Sequence, residues 1–91
     1  MGRRILLVED DESLRRGIGL KLEREGYQVQ SAGTIAEADS WCAKEEADLV
    51  ICDVMLPDGS GLEFCRALRR RSQTLFLFLT AMDSELDIVN G

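Results

Sequence analysis

The chain has 91 residues, 45% of them apolar and 31% charged, with one proline, eight glycines and a net charge of −6. That length supports one small core, close to the lower limit for comfortable stability, and the mix excludes a disordered tail, a collagen-like repeat and a disulfide scaffold. The negative balance repels nucleic-acid phosphate, so no direct nucleic-acid binding by this segment is expected.

The first apolar run, Ile5-Leu6-Leu7-Val8, stops at Glu9-Asp10-Asp11-Glu12. A run apolar on both faces suits a strand of a parallel sheet covered by helices on two sides. Leu14, Ile18 and Leu22 then recur at helical spacing, with Ser13 or Asp11 as cap and Gly26 as the terminating glycine. Tyr27 to Ser31 alternates enough for a short strand. Thr34 followed by Glu37 reads as a capping box, opening a helix with Ile35, Ala38 and Cys42 inward and Trp41 at its edge.

Asp48 to Cys52 is a second doubly buried strand, again closed by an acid, Asp53. Pro57-Asp58-Gly59-Ser60-Gly61 reads as a loop. A third helix follows, with Leu62, Cys65 and Leu68 inward and Arg69, Arg70 and Arg71 solvated at its end, where a helix favours cations. Leu75 to Leu79 is the fourth strand, closed by Thr80, and Asp83 or Ser84 starts a further helix. Strands alternating with helices predict an α/β fold with an open parallel sheet.

Several chemistries fall away at once. Histidine is absent, which removes a Ser-His-Asp triad, a Cys-His dyad and a histidine metal site. Cys42, Cys52 and Cys65 fit neither a redox pair nor a zinc knuckle, and read as small core residues of a cytoplasmic protein. No apolar stretch approaches a membrane span, and the N-terminus is wrongly flanked for a signal peptide. Leu6 stands where a myristoylation motif following Met1-Gly2 needs Ser or Thr.

Open parallel sheets bind ligands at the carboxyl ends of their strands. Glu9 and Asp10 stand there after the first strand, Asp53 after the third and Thr80 after the fourth. Carboxylates about 4–5 Å apart repel by roughly 3–4 kcal/mol per pair at an effective dielectric near 20, so the cluster needs a cation or a proton. An all-oxygen set selects a hard ion, Mg²⁺ or Mn²⁺. Asp11 and Glu12, in the first helical turn, need no such role.

Val8-Glu9-Asp10-Asp11, Asp53-Val54-Met55-Leu56-Pro57 with Gly59 and Gly61, and Leu79-Thr80-Ala81 resemble the receiver domain of bacterial two-component response regulators. The resemblance runs in order through the whole chain. It implies a flavodoxin-like sheet of order 2-1-3-4, and a phosphoryl acceptor rather than an enzyme acting on an outside substrate. Asp53 would take the phosphoryl group from a sensor histidine kinase. Glu9, Asp10, Asp53 and the Met55 carbonyl would hold Mg²⁺, and Thr80 with Ala81 would bind the phosphoryl group and act as the switch.

In such domains the positions of Met55 and Met82 border the pocket and tune how long the phosphate lasts. Two methionines exclude water without organising it, which implies slow loss of the phosphate. The motif wording most resembles regulators with a winged-helix DNA-binding output.

The resemblance stops short of the family's fifth strand and last helix. The lysine that pairs with the phosphate is not matched, since only Lys21 and Lys44 occur and both fall in expected helices. Residues 1–91 therefore read as an incomplete receiver domain. An apolar fourth strand left at the sheet edge would favour a homodimer. Two other readings carry less. A magnesium-dependent phosphohydrolase would need an acid where Met55 stands. A pseudo-receiver, a pure interaction module, would leave the full acidic set without purpose, yet the unmatched lysine keeps it as the alternative for this fragment.

Overall fold

A computed structural model describes residues 2–79 of the chain. The elements run β1 (Arg4–Val8), α1 (Glu12–Arg24), β2 (Gln28–Ala32), α2 (Ile35–Cys42), β3 (Leu49–Asp53), β4 (Met55–Leu56), β5 (Gly59–Ser60), α3 (Gly61–Arg69) and β6 (Leu75–Leu79). Strands β2-β1-β3-β6 form a parallel four-stranded sheet in that order, so β6 is the fourth strand read from the sequence. The α/β architecture and the 2-1-3-4 order stand as expected.

Strand alternation divides the core in two. Leu6, Val8, Val50 and Cys52 face α2 and α3, where Ala38, Phe64, Cys65 and Leu68 close the larger cluster. Ile5, Leu7, Ile51 and Leu79 face the other way, against Ile18 and Leu22 of α1. The two central strands are thus covered on both sides, which is why their sequences lack polar alternation. Burying each such Leu or Val contributes about 1.5–3 kcal/mol.

Local signals set the helix ends. Asp11 caps α1 by accepting from the Leu14 amide at 3.1 Å, and Gly26 follows the last turn with φ +98°. Thr34 caps α2 through the Glu37 amide at 3.1 Å. The reciprocal half of the expected box is displaced by one residue, because Glu37 Oε1 accepts from the Gly33 amide at 2.7 Å. Three free cysteines are present, with Cys52 and Cys65 buried and Cys42 half-buried.

The structure corrects several boundaries. β2 starts one residue later than Tyr27, and β3 starts after Asp48, whose carboxylate instead accepts from the Arg4 amide at 2.8 Å. Pro57 to Gly61 is no single loop: Met55 pairs with Ser60 and Leu56 with Gly59 in a small antiparallel hairpin. Gly61 is already the first residue of α3. The inner face of that helix is Gly61, Phe64, Cys65 and Leu68, while Leu62 is 43% exposed. A stripe at i, i+3, i+4 and i+7 replaces the simpler three-residue spacing read from the sequence. Arg71 is not merely solvated, since it pairs with Asp39 of α2 at 3.2 Å.

Candidate functional site

The sheet register builds the site. Val8 lies level with Cys52, so Glu9 and Asp53 leave neighbouring strands side by side. The β1–β2 ladder runs one residue past the strand, with the Glu9 amide donating to the Ala32 carbonyl at 3.0 Å. Arg15, one turn into α1, donates from Nη1 to the Glu9 carbonyl at 2.8 Å. Backbone bonds from two directions thus fix Glu9. One carboxylate oxygen each from Glu9, Asp10 and Asp53 lies within 4.8 Å of the others.

The three acids sit in different surroundings. Glu9 is 1% exposed and Asp53 5%, whereas Asp10 is open to solvent. Glu9 Oε2 accepts from the Asp11 amide at 3.0 Å, but Glu9 Oε1 is buried and has no partner among the described residues. Buried polar atoms are seldom left so. Burial raises the Glu9 carboxyl from 4.5 to about 7, and the charges on Asp53 and Asp10 push the same way against the bond from Asp11. Such a group keeps its proton up to about pH 7 or is neutralised by a cation. A hard divalent ion fits both the oxygen donor set and the orphaned oxygen.

The backbone beyond Asp53 is held as tightly. The Gly61 amide donates to the Val54 carbonyl at 2.7 Å, and a Cβ on Gly61 would lie 2.0 Å from the Asp53 carbonyl oxygen. Only glycine permits α3 to start this close to the acid. Met55 projects 77% exposed from the hairpin. Thr80, Ala81 and Met82 lie outside the described residues.

A profile described as "Response regulator receiver domain" matches residues 5–91. The chain belongs to the response regulator receiver domain family. The transcriptional regulatory protein AfsQ1 of Streptomyces coelicolor is 37% identical over 87 residues, which are 96% of this chain and 39% of that protein. The non-phosphorylated HemR receiver domain of Leptospira biflexa is 42% identical with a TM-score of 0.81, over 91% of this chain and 68% of that one. The beryllofluoride-activated N-terminal receiver domain of RstA from Klebsiella pneumoniae is 34% identical with a TM-score of 0.81, over 90% and 70% of the two chains. This receiver domain therefore spans well under half the length of the full regulator it matches.

Two site-supporting residues of this receiver domain escape the sequence. Arg15 reads there as an ordinary helix surface charge, and nothing local shows that its guanidinium reaches Glu9. Asp58 reads as a turn former, yet its Oδ1 and Oδ2 accept from the Ile35 and Ala36 amides at 2.9 and 3.0 Å. At Cys52, beside Asp53, a hydrogen bond with the Cys65 thiol and then burial push the thiol far above the usual range, which disfavours the reactive thiolate. Among the described residues no helix is long and apolar enough to cross a membrane.

Proposed function

We propose that this receiver domain takes a phosphoryl group on Asp53 from a phosphohistidine of a sensor histidine kinase in the cytoplasm, with residues 1–91 forming part of the domain. The observation that carries the reading is the convergence of Glu9, Asp10 and Asp53 within 4.8 Å around a buried carboxylate oxygen that has no partner among the described residues. Phosphoryl transfer needs alignment and charge neutralisation more than covalent help. An Asp53 carboxylate oxygen attacks phosphorus as the phosphorus–nitrogen bond to the imidazole breaks. The bonding pair stays on the imidazole nitrogen.

Glu9, Asp10 and Asp53, with the Met55 carbonyl, are the residues that would hold Mg²⁺ or Mn²⁺. When bound, such an ion neutralises charge gathering on the phosphoryl oxygens. Arg15 and the β1–β2 ladder hold Glu9 still, and the Gly61 contact holds Asp53. Thr80 with Ala81 would receive the phosphoryl oxygens, and Met55 with Met82 would set its lifetime. The new charge of about −1.5 to −2 on Asp53 then biases the end of β6. Similarity to a transcriptional regulator supports a DNA-binding output as the device controlled.

The test is intact-mass measurement of the protein after incubation with acetyl phosphate. A gain of one phosphoryl group with Mg²⁺, lost with EDTA and in Asp53→Asn, is the expected result. No uptake with Asp53 intact would leave a pure interaction module instead.

The oligomeric part of the proposal concerns β6. Its outer edge is unpaired among the described residues, with Leu75 70% exposed. An apolar edge takes up another strand, from its own chain or from a second copy. We expect light scattering of the 91-residue chain to give a dimer at micromolar concentration. A stable monomer would contradict it.

A further inference from the structure

The hairpin that follows Asp53 is fastened at its far end to a different element. We propose that Asp58 is a positioning residue for the acidic site, clasping the N-terminus of α2 so that the hairpin leaving Asp53 keeps one position. This rests on the reading of Glu9, Asp10 and Asp53 as a cation-binding acceptor site.

The contacts form a continuous path. Gly61 meets the Asp53 backbone at one end, and its amide bonds the Val54 carbonyl. Met55–Leu56 pairs with Gly59–Ser60, so Val54 and Met55 move only with the hairpin. At the tip, both Asp58 oxygens accept amides of the first turn of α2, at 2.9 and 3.0 Å. A carboxylate there completes bonds the helix cannot make itself and favours its dipole. Gly59, at φ +152°, lets the tip approach closely: a Cβ there would stand 3.1 Å from Ile35 Cδ1.

Thr34 separates this role from simple helix stability. Its hydroxyl caps the same turn through the Glu37 amide at 3.1 Å and, among the described residues, makes no hydrogen bond to the hairpin. Asp58→Ala and Thr34→Ala each remove capping from α2, but only the first releases the hairpin.

Two readouts test the clasp on both variants: Mg²⁺ affinity by calorimetry, and hydrogen exchange of the Met55 and Ser60 amides. Asp58→Ala should weaken Mg²⁺ binding about tenfold, the scale for residues that orient ligands from behind, and speed hairpin exchange. Thr34→Ala should leave both near the parent values. Equal effects in the two variants, or none in Asp58→Ala, would overturn the positioning role while leaving the acceptor reading intact. A parent protein that binds no Mg²⁺ would instead remove the acceptor reading, and the clasp with it. Asp58→Asn, which keeps one acceptor, should fall between.

Discussion

Glu9→Gln should make the metal-free protein more stable than its parent at pH 8, by about 3 kcal/mol. The reason is the environment of that side chain: 1% exposed, one oxygen without a partner among the described residues, and two further carboxylates beside it. Burial above all raises its folded-state value from 4.5 to about 7. The folded chain therefore holds a proton that the unfolded chain releases between those values. The stabilisation from protonated Glu9 is complete below about pH 4.5 and is lost as pH rises through about 7.

Glutamine resembles the protonated acid and ionises at no pH, so the variant keeps what the parent loses. The gain should appear as a melting temperature higher by about 10–20 °C at pH 8, closing toward pH 4.5. Millimolar Mg²⁺ should stabilise the parent through binding to its folded state and do little for the variant. A variant less stable than the parent at pH 8 in EDTA would show that Glu9 is held by something other than its neighbours' charge and its burial.

Gly61→Ala should produce the opposite effect and a comparably large one. The added Cβ would meet the Asp53 carbonyl oxygen at 2.0 Å and the Cys52 sulfur at 2.9 Å. The first of these is backbone and cannot rotate away, so α3 or the end of β3 must move. A loss of about 3 kcal/mol or more is expected, in the upper range for overpacking. Because the displaced segment carries Asp53, the same substitution should also weaken Mg²⁺ binding. Gly17→Ala is the matched control, since a Cβ there in α1 would meet no other group of the described residues within 4 Å. There alanine should add about 0.5–1 kcal/mol through helix propensity. Equal stability of the two variants in urea melts would contradict the close approach at Gly61.

Much of this is legible in the sequence because the signals are local. Ile5 to Val8 and Leu49 to Cys52 are apolar on both faces, and only a covered parallel strand suits them. Asp11, Thr34 and Gly26 act on neighbours within four residues, so their helix ends follow from spacing alone. The acids were legible because each ends such a strand, and an open parallel sheet gathers those ends.

What escaped depends on distances that the chain closes only on folding. Asp58 bonds amides more than twenty residues away. Arg15 looks like any exposed helix arginine until β1 and α1 are placed together. The short β4–β5 hairpin hides inside a glycine-rich stretch whose turn signal is strong and whose strands are two residues each. On α3 the inner position belongs to Phe64 and not to Leu62, because the start of the helix at Gly61 sets which side meets the sheet.

The account is tested most directly by calorimetric titration of Mg²⁺ into the protein, repeated in buffers of different ionisation enthalpy. It predicts one ion per chain, bound with release of a proton below about pH 7, where Glu9 is protonated in the metal-free state. Glu9→Gln should abolish the proton release and Asp53→Asn should weaken the binding sharply. Binding that survives both substitutions unchanged, or no binding at millimolar Mg²⁺, would contradict it.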